Sequence, residues 1–269
     1  MSKIEKALER ARKMRQEGQE QVEGYRPSEV SRLQVGEPAY IKTKVMSLDR
    51  GHLERHRVMT LMDNPEVMDY YNLLRTQVLQ KTRHNGHNTI MITSVLPGEG
   101  KTITAINLAV SIAREVKQTV LLVDTDLRNP KIHDYLGCDA EKGLSDYLQN
   151  DVPVGDLLVN PGIAKMVVLP AGRPLQGSTD ILGSPKMEKL VEEMKRRYAE
   201  RYVIFDCPPV LSVPDALVFS SYVDGVILVV EAGRTTKDQI RKAVEVFEDK
   251  NIVGLVMNRG DSGSRGYYY

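Results

Sequence analysis

The sequence predicts an α/β fold of three layers, in which a mostly parallel β-sheet lies between two layers of helices, preceded by a helical and irregular N-terminal arm. Six short apolar runs recur between residues 89 and 258, and helical patterns such as residues 102–115 and 236–249 separate several of them. The runs are apolar throughout rather than alternating, which is typical of strands buried on both faces of a sheet. They comprise residues 89–95, 119–124, 166–170, 202–206, 225–230 and 252–258.

The N-terminal arm, residues 1–62, has two parts. Residues 2–16 place apolar side chains at helical spacing among Lys and Arg, which predicts a helix that packs on its own domain or docks a partner. A position on a membrane surface is less favoured, because the apolar side has few large residues. Residues 17–62 are polar, with scattered Gly and Pro, and form a linker or an ordered arm laid across the core.

A further helix is predicted at residues 64–81, with Asn64 as its cap and Pro65 at its first position. We therefore divide the chain into the arm, an α/β domain over residues 63–260 and a flexible tail over residues 261–269.

Composition narrows the functional classes. The 269 residues carry a net charge of +1, so no nucleic-acid partner is expected. The two cysteines, Cys138 and Cys207, have no paired spacing, which favours a reducing compartment. No apolar run approaches the roughly 18 residues of a membrane span, and the first residues lack the apolar core of a signal peptide. We expect a cytoplasmic protein.

The stretch SVLPGEGKT, residues 94–102, connects a predicted strand to a predicted helix. Gly98 and Gly100 allow backbone amides to approach phosphate oxygens, and the helix start adds its positive dipole end. Lys101 can reach the β- and γ-phosphates, and the Thr102 hydroxyl can bind Mg²⁺. Val95 stands where such loops usually have their first glycine. The alternative is a glycine-rich turn with a chance Lys-Thr pair. The predicted nucleotide contacts are Pro97, Gly98, Glu99, Gly100, Lys101, Thr102 and Ile103.

Carboxylates follow two other predicted strands. Asp124 ends one strand, with Asp126 and Arg128 just beyond it, and Asp206 ends another. The carboxyl ends of parallel strands are where such folds place their chemistry. We expect Mg²⁺ to bind Thr102 and the phosphates, with Asp124 and Asp206 holding its water ligands. The alternatives are solvated charges at one strand exit and a simple strand and turn at the other. Cys207 is interpreted as a packing residue.

Together, GEGKT, the D-x-D-x-R run that ends at Arg128 and the D-x-P-P run that begins at Asp206 resemble the bacterial tyrosine kinases (BY-kinases). These are cytoplasmic phosphate-loop NTPases tied to exopolysaccharide and capsule production. The resemblance covers roughly residues 63–269 and implies an ATP-dependent protein-tyrosine kinase that uses Mg²⁺. Related cell-division and plasmid-partition ATPases carry a second lysine before the loop glycines. This chain has Leu96 there, which favours the kinase branch.

The resemblance also implies partners. The tyrosine-rich tail of the family corresponds to Tyr267, Tyr268 and Tyr269, which implies a homo-oligomer in which neighbouring subunits phosphorylate each other's tails. A Glu-x-x-Arg-x-x-Arg stripe that the family uses between subunits falls on Asp69, Asn72 and Arg75. Because the middle arginine is replaced by Asn72, these residues do not predict the interface between subunits.

The first 60 residues resemble tyrosine autokinases of exosortase-associated exopolysaccharide clusters. Many family members are fused to a membrane-spanning activator. We expect no membrane-spanning segment in this chain. The resemblance then implies that a separate membrane-bound polysaccharide chain-length regulator recruits it to the inner face of the membrane.

Three functions remain as hypotheses. The first is a tyrosine autokinase in which Lys101 spreads the charge that develops on the phosphoryl group, and Asp126 or Asp124 accepts the phenol proton. Asp126 is preferred as that base. Adenine is expected near Asn258 and Arg259, with a strand-end cap as the alternative role of Asn258. Asp215 either senses the γ-phosphate or caps a helix. The second hypothesis is a partition-type ATPase, and the third is a nucleotide-binding regulator of polysaccharide length without kinase activity.

Overall fold

The computed structural model describes residues 44–45, 48–58, 65–138, 141–198 and 200–260. The predicted helix over residues 2–16, the Asn64 cap and the tail tyrosines lie outside this part of the chain. Within it, no helix combines the length and the hydropathy that a membrane crossing requires.

Eight strands of the described residues form one sheet, in the order β1-β4-β5-β3-β6-β2-β7-β8. All neighbouring pairs are parallel except β4 and β5. The strands are β1 (Lys44–Val45), β2 (Thr89–Ser94), β3 (Thr119–Asp124), β4 (Val159–Asn160), β5 (Met166–Leu169), β6 (Arg201–Asp206), β7 (Gly225–Glu231) and β8 (Ile252–Asn258). The six predicted strands are thus confirmed. The two-residue strands β1 and β4 were not predicted.

Helices cover both faces of this sheet, which confirms the three-layer α/β fold. They are α1 (Arg50–Arg55), α2 (Pro65–Arg83), α3 (Lys101–Ala113), α4 (Ile132–Leu136), α5 (Leu144–Asn150), α6 (Val154–Leu157), α7 (Ser178–Leu182), α8 (Pro185–Arg197), α9 (Asp215–Phe219) and α10 (Lys237–Val246).

Two apolar cores fill the space between the layers because successive strand residues point to opposite faces. In β2, Ile90 and Ile92 join one core and Met91 joins the other. The first core also contains buried residues of α2 and α3, and the second contains buried residues of α8 and α9. Every residue of β2 is buried. The strand that leads into the predicted phosphate loop is therefore fixed by packing on both sides.

Residues 48–58 show no periodicity in sequence, yet they contain the helix α1. The Asp49 side chain accepts a hydrogen bond from Gly51 N at 2.9 Å and caps this helix. Leu53 and Val58 are buried in the first core. This segment therefore packs on the α/β domain, where His52 stacks on His56 with ring centroids 4.3 Å apart.

Candidate active site

The turn between β2 and α3 adopts a backbone that requires glycine. Gly98 and Gly100 have φ angles of 83° and 95°, values that favour glycine over any residue with a Cβ. A Cβ added to Gly100 would also lie 2.1 Å from Asn258 Nδ2. Glycine at these two positions therefore leaves the loop amides accessible, as a phosphate cradle needs.

Two side chains hold this loop in place. Glu99 is fully buried, and its carboxylate accepts hydrogen bonds from Leu96 N at 2.7 Å and from the Thr235 hydroxyl. Asn258, at the end of β8, donates from Nδ2 to the Glu99 carbonyl at 2.8 Å, and its Oδ1 accepts from Arg259 N. The sequence predicted Glu99 and Asn258 as nucleotide contacts. In the structure both side chains make bonds that shape the loop.

Lys101 extends from the start of α3 into a group of carboxylates. Its Nζ lies 2.9 Å from Asp126 Oδ2 and 3.6 Å from Asp206 Oδ1. Burial alone would lower the pKa of the Lys101 ammonium, but the Asp206 and Asp126 carboxylates outweigh burial and raise it. Lys101 therefore carries a fixed positive charge at the mouth of the phosphate loop.

Asp206 and Asp124 face each other because the register of β3 and β6 pairs them. Asp206 Oδ2 accepts a hydrogen bond from the Thr102 hydroxyl at 2.6 Å, and its Oδ1 atom is buried with no hydrogen-bond donor. Burial raises the pKa of both carboxyl groups, and Asp206 raises that of Asp124 further. Buried negative charge thus exceeds the single charge of Lys101, an environment that a divalent cation would stabilise.

The residues therefore fit a phosphate-bound Mg²⁺, which Thr102 and Asp206 Oδ1, the oxygen that accepts no hydrogen bond, would bind. No group of three or more His, Cys, Asp or Glu suited to a metal ion occurs among the described residues. Oxygen ligands from a nucleotide would have to complete the coordination, as is usual for Mg²⁺.

Asp124 and Asp126 have different environments. Asp124 accepts three backbone hydrogen bonds of 3.1 Å, from Asp126 N, Lys131 N and Ile132 N. Its carboxylate thereby holds the loop after β3 in place. Asp126 contacts Lys101, accepts a hydrogen bond from Asn129 N at 3.0 Å and lines a cleft above the phosphate loop. Asp126 is the better placed of the two to meet a substrate.

A cleft of about 1400 Å³ opens above the phosphate loop. It extends between α2, the end of β8 and the loops that follow β3 and β6. Among the predicted site residues that the structure describes, Glu99, Asp124 and Asp206 do not line this cleft. Those that do are Pro97, Gly98, Gly100, Lys101, Thr102, Ile103, Asp126, Arg128, Asn258 and Arg259. The Arg259 guanidinium lies 2.9 Å from Glu231 Oε1.

The predicted subunit stripe on α2 faces inward in part. Arg75 Nη1 donates to the Ser111 carbonyl at 2.9 Å, and Asn72 Oδ1 accepts from the Ser111 hydroxyl at 3.1 Å. Asp69 is exposed. Asn72 and Arg75 therefore attach α2 to α3 within the same chain.

Cys207 is fully buried, its sulfur lies 2.9 Å from the Thr125 hydroxyl, and burial raises the pKa of its thiol. A buried thiol of this kind is a packing residue rather than a nucleophile.

Sequence reasoning missed three hydroxyl residues near the site. Thr235 bonds Glu99, while Ser178 and Thr179 bond Asp215. Thr235 precedes the capping box of α10, formed by Thr236 and Gln239, so the sequence signal there was one for a helix start. Ser178 and Thr179 belong to a five-residue helix, α7, that has no periodic signal.

Comparison with known proteins gives a consistent result. Residues 87–250 match the AAA domain family. Tyrosine-protein kinase CpsD of Streptococcus agalactiae is 32% identical over 209 residues, which cover 74% of this chain and 89% of CpsD. The kinase domain of Escherichia coli tyrosine kinase ETK is similar with a TM-score of 0.70 and 26% identity, over 91% of this chain and 99% of that structure. The septum site-determining protein MinD of Pyrococcus horikoshii, complexed with Mg-ADP, is similar with a TM-score of 0.56 and 25% identity. The match covers 66% of this chain and 72% of the MinD chain.

Proposed function

The chain belongs to the bacterial tyrosine-protein kinases, and on that premise we propose that it phosphorylates its own C-terminal tyrosines from ATP and thereby regulates exopolysaccharide synthesis or export. The observation that carries the proposal is the position of Lys101, between Asp126 and Asp206, at the end of the phosphate loop where α3 begins. One cation and two carboxylates there meet the needs of phosphoryl transfer, which are charge neutralisation and a proton acceptor.

In this proposal the loop from Gly98 to Thr102 binds the β-phosphate through its backbone amides, and adenine lies toward Asn258 and Arg259. Mg²⁺, when bound, would neutralise phosphate charge. Thr102 and Asp206 would hold it directly, and Asp124 through water. The Mg-ADP found with the similar MinD protein supports this assignment.

Lys101 and Asp126 would then act in sequence. In the structure they are paired at 2.9 Å. A phosphate group beside Lys101 competes for its ammonium, so nucleotide binding frees the Asp126 carboxylate. A free carboxylate at the cleft can accept the proton of an acceptor phenol, whose reference pKa is about 10, as transfer proceeds. Nucleotide binding thereby prepares the base.

The short sequence distance between the cleft and the C-terminal tyrosines supports Tyr267, Tyr268 and Tyr269 as acceptors. The described residues end at Gly260, which lines the cleft. Tyr267 lies seven residues farther along the chain, and an extended chain of that length spans roughly 25 Å. The tail can therefore reach a cleft. We assign it to the cleft of a neighbouring subunit, and we assign recruitment to the membrane to a chain-length regulator, both from the family resemblance.

A partition-type ATPase is the second candidate, which the similarity to MinD favours. Such an ATPase releases phosphate without modifying protein.

Mapping of phosphotyrosine separates the two candidates. The full chain is incubated with ATP and Mg²⁺, and its peptides are analysed by mass spectrometry beside a variant with Phe at 267, 268 and 269. We expect phosphate on the tail tyrosines, a rate per molecule that rises with protein concentration, and loss of most label in the Phe variant with unchanged ATP binding. Label wholly outside the tail would contradict the acceptor assignment. ATP hydrolysis without phosphotyrosine would favour the ATPase.

A further inference from the structure

The carboxylate of Asp215, at the start of α9, is fully buried and receives four hydrogen bonds. Oδ2 accepts from Arg128 Nε at 3.1 Å and from the Ser178 hydroxyl. Oδ1 accepts from Arg128 Nη2 at 3.1 Å and from the Thr179 hydroxyl at 2.6 Å. We refer to Asp215, Ser178 and Thr179 as the Asp215 cluster. It joins the loop after β3 to two short helices, α7 and α9.

This arrangement corrects both predicted roles of Asp215. Four donors occupy the acceptor positions of a carboxylate, so Asp215 is not available to a γ-phosphate. Its four donors are side chains outside α9, and the N-cap position of that helix is Pro214. Burial would raise the pKa of Asp215, but the bonds from Arg128, Ser178 and Thr179 outweigh burial and lower it. The carboxylate therefore stays ionised beside Arg128 at neutral pH.

The cluster fixes the orientation of Arg128. Two parallel hydrogen bonds from a planar guanidinium to one carboxylate define both its position and its plane. The Arg128 Nη2 atom also donates to the Thr179 hydroxyl at 3.1 Å. A guanidinium has five N–H donors. The bonds to Asp215 and Thr179 use those on Nε and Nη2, so the two N–H donors on Nη1 are available to a ligand. Arg128 lines the same cleft as Lys101 and Pro209, and its side chain is 40% exposed.

We propose that the Asp215 cluster positions Arg128 so that its Nη1 edge binds an anionic oxygen in the cleft. This oxygen belongs either to the γ-phosphoryl group of ATP or to an acidic group beside the acceptor tyrosine. Asp215, Ser178 and Thr179 are thus positioning residues that act through Arg128. The inference rests on the proposed kinase function and names a part of its site that lies beyond the phosphate loop.

A double-mutant cycle of Arg128→Gln and Asp215→Asn tests the inference in the full chain. The assays measure kcat and KM with the peptide of residues 261–269, which includes Asp261, as acceptor, and the ratio of ATP to ADP affinity with a fluorescent nucleotide. Asp224→Asn is the matched control, because Asp224 is also a buried, ion-paired aspartate but lies at the opposite end of the sheet. We expect Arg128→Gln to lower kcat/KM by about 100-fold, and Asp215→Asn by about 10–100-fold, as is usual for a residue that orients a functional group.

The cycle identifies a positioning role because Asp215→Asn should have no further effect in the Arg128→Gln background. Additive losses would overturn the inference, as would full activity of Asp215→Asn. If Asp215→Asn does not fold, Thr179→Val replaces it. Thr179→Val should lower kcat/KM and Thr179→Ser should restore it, and a fully active Thr179→Val would overturn the inference.

The two sources of the anion give different results within the same cycle. If the γ-phosphoryl group is bound, the variants lose preference for ATP over ADP and keep the KM of the peptide. If an acidic group of the acceptor is bound, the KM of the peptide rises and nucleotide preference is unchanged. Should wild-type protein form no phosphotyrosine, the kinase proposal fails. The same cycle, measured on ATP hydrolysis and nucleotide preference, then still decides whether Asp215 acts through Arg128.

Discussion

Lys101→Met removes the ammonium that neutralises the carboxylates beside the phosphate loop. The Lys101 side chain is 12% exposed and Asp206 is fully buried, so the substitution leaves buried negative charge without a partner. Methionine has nearly the same length and keeps the apolar contacts of the lysine stem. We expect phosphotyrosine formation to be abolished while the fold remains intact.

Removal of one partner from a buried ion pair costs about 3–5 kcal/mol of unfolding free energy. Domains of this kind are stable by roughly 5–15 kcal/mol, so most molecules of the variant stay folded.

The loss of unfolding free energy in the variant depends on pH. Burial raises the pKa values of Asp124 and Asp206 in the folded protein, whereas the Lys101 ammonium lowers them. Removal of Lys101 therefore raises both pKa values further. A carboxyl group whose folded pKa exceeds its unfolded pKa binds its proton more tightly in the folded state. Its destabilising effect on the folded state is therefore full above the folded pKa, and it shrinks as pH falls toward the unfolded pKa.

Urea unfolding of parent and variant at about pH 8 and about pH 5.5 measures this difference. We expect the larger loss, about 3–5 kcal/mol, at the higher pH and a clearly smaller loss at the lower pH. Lys186→Met is the control, because Lys186 pairs at 2.5 Å with Asp151, whose side chain is 87% exposed. A surface pair of this kind contributes at most about 1 kcal/mol. An equal loss for Lys101→Met at both pH values would refute the reasoning.

Two further predictions concern other positions. Gly100→Ala should lower stability by about 1–3 kcal/mol and weaken ADP binding, because its φ of 95° is strained for alanine and the new Cβ would meet Asn258. Thermal unfolding with and without ADP measures this. Gly86→Ala is the control, since Gly86 has a φ of 65° and no atom near its Cβ position, and equal ADP binding by the two variants would contradict the prediction. Asp224→Asn should lower stability by about 2–3 kcal/mol at neutral pH, because its buried carboxylate bonds Asn88 N, Thr89 and Lys195. Burial would raise the pKa of Asp224, but the bonds from Lys195 and Thr89 lower it, so acid titration should remove the difference from the parent as pH falls through the folded pKa.

The sequence predicted the fold and the family because both depend on local patterns. Continuous apolar runs identified the six long strands, and the spacing of Gly100, Lys101 and Thr102 after β2 identified the phosphate loop. Asp124 and Asp206 were predicted at strand ends, and the register of β3 and β6 places them side by side. The comparisons confirm the tyrosine-kinase family. The exosortase-associated subtype stays a prediction.

The sequence did not reveal which polar side chains bond each other across distant segments. Asp215 and Ser178 are 37 residues apart, and Asn258 and Glu99 are 159 residues apart. No periodicity connects such pairs, since only the tertiary packing of strands, helices and loops brings them together. Short elements escaped for a related reason. The strands β1 and β4 have two residues each, too few to show a pattern, and neighbouring backbone supplies their hydrogen bonds.

The fate of the γ-phosphate tests the central claim most directly. Full-length protein is mixed with substoichiometric γ-labelled ATP and Mg²⁺, and the label is divided after one turnover between free phosphate and phosphotyrosine. We predict that most of the label is bound to tyrosine, and that Lys101→Met transfers none. Label recovered almost entirely as free phosphate from the parent protein would contradict the assignment of this site as a protein-tyrosine kinase.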